Sequence, residues 1–186
     1  MPVDEVQVTS SAKNHDLDNN DNFSPDGRYL CYDTRETVGP GIDHGQTIEV
    51  VEVETGKEIV LYRPGAIVMG KRPAPGVGAV SFSGAAAEVA FIHGPPVEEL
   101  DLRGPYGKPN RNGACASLDG DVVLVDGEYR LLKDGKYTMA WLDKRDIATD
   151  RDTLPGAHRG GTHCHEYTLD GKRIGFTYDD FLLPDY

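Results

Sequence analysis

The chain alternates short apolar runs with polar turns, and one such unit recurs. Residues 22–35, NFSPDGRYLCYDTR, place an aromatic residue before a polar turn and then alternate apolar and polar side chains. Residues 166–180, EYTLDGKRIGFTYDD, repeat this order, and a weaker copy starts with SFSG at 81–84 and continues with EVAFIH at 88–93. A period of two is typical of β-strands that bury one face. The pattern therefore predicts an antiparallel pair of strands in each copy.

The turn inside each strong copy indicates how the strands are joined. Asp26-Gly27 and Asp170-Gly171 occupy the same place in the repeat. An aspartate accepts nearby main-chain N–H bonds, and the glycine after it takes a positive φ, which closes a hairpin. We therefore expect the same tight turn at both positions.

Two further strand-like runs follow the first copy. They are residues 46–54, QTIEVVEVE, and residues 58–62, EIVLY, joined by turn residues 55–57. Four antiparallel strands between about residues 20 and 63 match the size of one propeller blade. A β-sandwich also has short strands and many turns, but it does not restart on one repeated phrase. The predicted fold class is all-β, with the architecture of a β-propeller.

The remaining chain divides into a second blade, an irregular part and the start of a third blade. The second blade is placed at about residues 77–132, interrupted by a long surface loop at 95–112 that is rich in proline, glycine and charge. Residues 141–161 carry many charges and are predicted to be irregular, and residues 162–186 begin the third blade. About two and a half four-stranded blades result, whereas a closed propeller needs about four or more.

The chain is therefore interpreted as the N-terminal part of a larger, incomplete propeller. Two alternatives remain: a second chain completes the ring, or residues 113–142 contribute to a degenerate four-bladed ring. An incomplete ring leaves blade edges open, which favours self-association or a protein partner.

Charge and composition limit the partners and the compartment. Because 19 basic and 31 acidic residues give a net charge of −12, we expect no nucleic-acid partner. No apolar run reaches the ~18 residues that a membrane span needs, so we expect no membrane partner either. The N-terminus, MPVDE, lacks the basic and apolar parts of a secretory signal. We expect a cytoplasmic protein, or a periplasmic one if a leader was removed.

Histidines supply the candidate metal ligands. His163 and His165 are two residues apart, so on a regular strand they point to the same side and can share one cation. His15 precedes the first turn as this pair precedes the last, and the starts of such strands meet at one mouth of a propeller channel. We predict a divalent metal at His163, His165 and His15. The alternative is that these histidines only hydrogen-bond neighbouring blades.

A second candidate group lies just before this pair. His158 and Arg159 are part of GAHRGG, residues 156–161, where glycines let the main chain approach a ligand. Arginine can bind a carboxylate through two hydrogen bonds, so both residues are candidates for catalysis. The alternative is that the segment is only a flexible lead-in to the third blade. His44 and His93 lie beside glycines and are interpreted as non-functional loop residues.

Longer phrases of the sequence resemble known propellers. FSPDGRYLCYDTRE and YTLDGKRIGFTYDD resemble the repeats of Tol-type β-propeller proteins. More closely, NHDLDNNDNFSPDGRYLCYDTRET, FIHGP, LDKRDI and PGAHRGGTHCHEYTLDGKRIGFTYDDF resemble a bacterial family of uncharacterised propellers labelled Tol biopolymer transporter-like. This resemblance covers nearly the whole chain, and members of that family are longer. It implies a propeller of which this chain is a part.

A more distant resemblance suggests a chemistry. HCH at 163–165 before YTLDG resembles oligogalacturonate lyases, propellers whose channel holds a divalent metal on a histidine cluster with an HxH pair before a repeat turn. It implies that His163 and His165 hold Mn²⁺ or a similar ion, to which the repeat adds His15 as a third ligand. The metal is expected to polarise a uronate carboxylate that Arg159 orients, while a neighbouring base removes the proton from the adjacent carbon.

The predicted function follows from these two resemblances. A channel site is expected to bind a polar, carbohydrate-like ligand, with lyase-type action on acidic oligosaccharides. The alternative is a non-catalytic propeller that docks a protein or a glycan, and fold alone does not separate the two.

Overall fold

The structure, a computed structural model, consists mostly of short strands. It describes residues 4–17, 19–35, 42, 47–65, 68–69, 72–73 and 76–180; His44 and residues 181–186 of the expected third blade lie outside these ranges. The strands are β1 (Tyr29–Asp33), β2 (Ile48–Glu52), β3 (Lys57–Tyr62), β4 (Val68–Met69), β5 (Arg72–Pro73), β6 (Val77–Phe82), β7 (Glu88–His93), β8 (Asn112–Ser117), β9 (Asp121–Val125), β10 (Glu128–Leu132), β11 (Ala140–Trp141), β12 (Gly161–Tyr167) and β13 (Ile174–Asp179). The all-β prediction is confirmed.

The segment at 95–112, expected to be a surface loop, contains helical turns. They are a 3₁₀ turn at Val97–Glu99, the α-helical turn α1 at Leu100–Arg103 and a second 3₁₀ turn at Lys108–Asn110. Leu100 is 9% exposed and anchors α1. The Asn110 side chain donates to the carbonyl of Arg103 at 2.5 Å, which fastens the end of α1 to the following turn.

Two larger sheets and two strand pairs organise the described chain, and the shorter pair is β4–β5. β1, β2 and β3 are antiparallel, and the hairpin β9–β10 joins this sheet because β10 pairs with β3 in parallel. β6, β7, β8 and β11 form the second sheet, and β12 pairs with β13. Residues 121–132, which the sequence assigns to the second blade, instead extend the first sheet. Arg63 and Glu128 pair at 2.5 Å across this junction, and Leu131 is buried in the core.

The first turn forms as its sequence predicts. Gly27 has a φ of 70°. The Ser24 hydroxyl donates to Asp26 Oδ1 at 2.6 Å, and the same oxygen accepts the N–H of Arg28 at 3.0 Å. The side chains thereby satisfy the main chain of the hairpin locally.

The last turn repeats these bonds. Gly171 has a φ of 67°. The Thr168 hydroxyl donates to Asp170 Oδ1 at 2.6 Å, which also accepts the N–H of Lys172 at 3.1 Å. In the weak copy, the N–H of Ser83 donates to the carbonyl of Glu88, five residues later, at 2.8 Å. The three copies are therefore structural repeats.

Consecutive copies are joined by side chains that bond to a neighbour's main chain. Asn19 Nδ2 donates to the carbonyl of Ala79 at 2.6 Å, and the Ser81 hydroxyl donates to the carbonyl of His165 at 2.8 Å. A Cβ on Gly84 would lie 2.9 Å from the carbonyl of Leu169, so the turns of the last two copies are also in close contact. The copies lie side by side in chain order.

A β-bulge interrupts the strand that precedes the turn in both later copies. Ala79 in β6 and Cys164 in β12 have φ values of 55° and 53°, and the pairing register shifts at each site. Our expectation that His163 and His165 share a face requires regular alternation, which the bulge at Cys164 interrupts.

The core lies between the first two sheets. It contains Cys31, Ile48, Val50, Ile59 and Leu61 from the first sheet and Val77, Val80, Phe82, Val89, Phe91, Ala114 and Ala116 from the second. Each of these side chains is at most 2% exposed. None of the helices in the described ranges is long and apolar enough to cross a membrane.

Candidate ligand-binding site

His165, on the bulged strand β12, is the centre of a buried polar group. Its side chain is fully buried. Gly113 in β8 makes room for the ring, since a Cβ there would lie 2.6 Å from Nε2 and 2.8 Å from Cδ2. Asp143, shortly after β11, accepts the N–H of Gly113 at 2.6 Å and the hydroxyl of Thr162 at 2.8 Å. β8, β12 and the segment after β11 therefore build the site together.

The bonds of Thr162 determine which nitrogen of His165 carries the proton. Thr162 donates its one hydroxyl hydrogen to Asp143, and its oxygen lies 2.9 Å from His165 Nε2. The hydroxyl must accept in this second bond, so Nε2 is the protonated nitrogen. Nδ1 then presents a lone pair. It is buried and has no hydrogen-bond donor among the described residues.

The electrostatics agree with a neutral ring. Burial lowers the pKa of His165 to about 4; the charge of Asp143 opposes this change, while His163 and His158 add to it. A neutral imidazole at pH 7 has one donor and one acceptor nitrogen. A buried acceptor without a donor is costly, so Nδ1 is suited to a donor group of a ligand.

A cleft of about 400 Å³ opens beside His165. Its walls include Asp143, Glu88, Tyr167, Lys172, Arg173 and Phe176. Phe176 is 50% exposed, and its ring centroid lies 6.0 Å from that of His165. The Tyr167 hydroxyl donates to Glu88. The cleft thus combines an aromatic surface, two basic side chains at the turn and polar groups at its inner wall.

The structure separates the two predicted catalytic residues. His158 Nδ1 lies 3.0 Å from the carbonyl of Gly160, and its Nε2 lies 3.6 Å from Asp143 Oδ1. His158 therefore belongs to the polar group around His165. Arg159 pairs with Asp180 at 3.6 Å and does not line the cleft.

The glycines after Arg159 have a packing role. A Cβ on Gly160 would overlap the carbonyl of Asp179, and one on Gly161 would overlap the carbonyl of Lys108. The segment is therefore held against two neighbouring main chains. It is not merely a flexible lead-in.

The predicted metal ligands have different partners. His163 Nδ1 lies 2.6 Å from Cys164 Sγ. His15 lies on the first sheet, where its Nε2 is 3.5 Å from Glu58 and its ring centroid is 4.6 Å from that of Tyr32. Burial raises the pKa of Glu58, but hydrogen bonds from the N-terminal segment outweigh this effect and lower it to about 2.

The described residues do not fit a metal site. In the ranges that the structure covers, no group of three or more histidine, cysteine, aspartate or glutamate side chains is arranged to hold a metal. A metal at His165 would need ligands from outside these ranges. The metal ligands therefore remain a prediction.

Sequence reasoning missed Asp143 and Thr162. Asp143 lies in LDKRDI, a phrase that carried a family resemblance, but neither pattern nor spacing connects it to a histidine 22 residues later. No pattern in the sequence singled out Gly113 either. Their roles arise from the packing of β8 against β12.

The fold and site define a sheet protein of repeated hairpins with a polar cleft. The chain belongs to the family described as "Protein of unknown function (DUF3748)", which matches residues 76–185 and so includes the whole cleft. It is 33% identical over 179 residues to "Uncharacterized protein YidR" of Escherichia coli (strain K12), covering 96% of this chain. The match covers 36% of that relative, so the chain spans about a third of its length. No solved structure matches the chain.

Proposed function

We propose that the chain supplies consecutive blades of a β-propeller, of the Tol-like kind that its phrases resemble. The identical turn bonds of the first and last copies support this proposal. So does the side-by-side order of the copies, because propellers repeat one sheet unit around an axis. The greater length of the E. coli relative leaves room for further blades.

The cleft beside His165 is proposed to bind a polar, carbohydrate-like ligand. One observation carries the proposal: His165 Nδ1 is a buried acceptor without a protein donor, in a residue that lines the cleft. A sugar hydroxyl is a suitable donor to a neutral imidazole. The half-exposed ring of Phe176 offers an apolar surface for the C–H face of a sugar, and the basic Lys172 and Arg173 favour an acidic one.

Binding fits the geometry better than proton abstraction does. Lyase-type action requires a base that takes a proton from carbon. Burial lowers the pKa of His165 to about 4, so the protonated ring is disfavoured. Nδ1 is therefore assigned the role of hydrogen-bond acceptor, and lyase action remains a more specific proposal.

The test compares ligand binding in matched histidine variants. Galacturonate oligomers and neutral oligosaccharides are titrated by calorimetry against the wild type, His165→Leu, His165→Asn and His15→Leu. His165→Leu removes the acceptor and should weaken binding by about tenfold or more, since one hydrogen bond is worth about that factor. His165→Asn keeps an acceptor near Nδ1 and should lose less. His15 lies in another cluster, so the His15→Leu variant should bind the ligand as the wild type does.

The same samples separate the alternatives. Unchanged affinity in a folded His165→Leu variant would refute the site. Unsaturated products that form only with added Mn²⁺ would support the lyase proposal with a metal. Binding without product would favour the non-catalytic propeller that docks a glycan.

A further inference from the structure

The last strand of the first sheet has an open outer side. The strand order is β1-β2-β3-β10-β9, so β10 is the one partner strand of β9 within the described ranges. Every second residue of an edge strand directs its main-chain N–H and C=O groups away from the sheet. These groups can bind the main chain of another strand. We call this surface, the outer side of Asp121–Val125, the β9 edge.

An apolar face of the β9–β10 hairpin reaches this edge. Leu131 in β10 is 5% exposed and belongs to the core, and its partner across the hairpin is Val122. Leu124 and Tyr129 form the next pair on the same face, because side chains alternate along a strand. Val122 is 42% exposed and Leu124 is 62% exposed. The apolar face of the core therefore continues into solvent at β9.

β9 does not carry the usual protection of a sheet edge. Proteins protect such edges with lysine, proline or a β-bulge. Residues 122–125 are VVLV, and all five residues of β9 pair with β10 in one continuous register. A regular and apolar edge strand favours the addition of another strand.

The strand order places the β9 edge outside the repeated unit. In the first copy, Asp16 and Phe23 bridge to β1, and β2 and β3 complete four strands. The second sheet also has four strands, β6, β7, β8 and β11. The β9–β10 hairpin lies beyond that number, on the outer side of β3, where the repeat requires no further strand. β13 differs, because its open side corresponds to the side on which β1 pairs with β2 and β7 pairs with β8.

Charges at both ends of β9 indicate the chemistry of the partner. Asp121 begins the strand and Asp126 follows it in the turn, and both are exposed. The nearby basic side chains form ion pairs with other carboxylates: Arg130 with Glu128 and Lys133 with Asp119. A strand with an apolar middle and a lysine or arginine at each end would cover the apolar face and offset both carboxylates.

A second copy of this chain is less suitable. Antiparallel pairing of two β9 strands centred on Val123 would place Asp121 of each copy diagonally opposite Asp126 of the other. Like charges at such positions repel each other. The net charge of −12 on each copy adds to the repulsion.

We propose that the β9 edge binds an extended peptide segment of a partner protein, which adds a strand beside β9. Main-chain hydrogen bonds hold the segment, and its alternate apolar residues contact Val122 and Leu124. Basic residues at its two ends meet Asp121 and Asp126. This surface is independent of the carbohydrate cleft and of the number of blades.

The test uses three synthetic peptides, KVTVTVK, EVTVTVE and KVTPTVK. Each is titrated into the ¹⁵N-labelled protein, and the main-chain amide signals of β9 are followed by NMR. KVTVTVK should shift these signals saturably. EVTVTVE should bind at least about fivefold more weakly, because its acidic ends meet aspartates. KVTPTVK should cause no saturable shift, because proline removes a main-chain donor.

Variants locate the site and separate the apolar from the charged contribution. Leu124→Lys places a charge on the apolar face and should weaken binding of KVTVTVK by about tenfold. Leu102→Lys is the matched control, since Leu102 in α1 is 73% exposed, and it should bind as the wild type does. Asp126→Asn should weaken binding by about two- to threefold. Asparagine tolerates the φ of 52° at this position, so the turn is retained.

Four outcomes would overturn the proposal. They are no saturable shift with KVTVTVK, equal affinity for EVTVTVE, shifts at β13 instead of β9, and self-association of the peptide-free protein that Leu124→Lys abolishes, which would identify a second copy as the occupant. The wild-type titrations decide the matter even if a variant fails to fold. His165→Leu should leave peptide binding unchanged, so failure of the carbohydrate site and failure of this edge are distinguishable.

Discussion

Replacing Gly113 with alanine should displace His165 and destabilise the protein. The new Cβ would lie 2.6 Å from Nε2, whereas ordinary contacts begin near 3.4 Å, so the ring must retreat by roughly 0.8 Å. The bond from Nε2 to Thr162, now 2.9 Å long, would then exceed hydrogen-bonding distance. Losing a buried hydrogen bond costs about 1–3 kcal/mol and overpacking about 1–3 kcal/mol. We expect a total loss of about 2–6 kcal/mol.

Gly175→Ala is the matched control. Gly175 lies in β13, and the nearest atom to a Cβ there is 4.0 Å away. That variant should keep wild-type stability or gain about 0.5 kcal/mol, because alanine restricts the unfolded chain.

Urea unfolding measured by circular dichroism supplies the free energy of unfolding of each variant. ¹⁵N NMR of the His165 imidazole reports which of its nitrogens carries the proton. In the wild type, Nε2 should carry the proton. A Gly113→Ala variant within about 0.5 kcal/mol of the wild type would refute the reasoning, as would an equal loss in both variants.

Three further predictions concern pH and the repeated turn. Stability should decline as pH falls from 6.5 to about 4, because burial lowers the pKa of both His93 and His165 from 6.5 to about 4 and only the unfolded chain binds protons at these two groups. Burial also raises the pKa of Asp33 to about 6, which offsets part of the decline, so a flat urea-unfolding profile across this window would contradict the balance of the three shifts. Glu58 has its pKa lowered from 4.5 to about 2, so its stabilisation is present above pH 4.5 and lost toward pH 2. Glu58→Gln should flatten that part of the profile. Asp26→Ala and Asp170→Ala should each lower Tm by a similar amount in thermal melts, since the two carboxylates accept matching bonds, and a loss at only one turn would show that the turns are not equivalent.

The local elements were largely predictable because their signals are local. Asp26-Gly27 and Asp170-Gly171 specify a turn through their own main chain, and period-two alternation identified β1 and β7. Hairpin β9–β10 was also expected at its place in the sequence. Its pairing with β3 was not predicted, since that contact joins residues about 70 positions apart and leaves no local pattern.

The site was predicted only in part for the same reason. The sequence analysis singled out His158 and His165 as candidates because the chain has only six histidines and these two lie close together. Asp143, Thr162 and Gly113 were missed. Each acquires its role from groups that another strand or segment brings close to it.

The sequence by itself determined the all-β class, the repeated hairpin and the histidines near its last copy. Only the tertiary structure decided which sheet each hairpin joins and which nitrogen of His165 is the acceptor. The bulge at Cys164 shows why. One residue with a positive φ changes the face of the sheet to which the next side chains point, and it leaves the apolar pattern of the sequence unaltered. Turns depend on neighbours along the chain, whereas a binding site depends on neighbours in space.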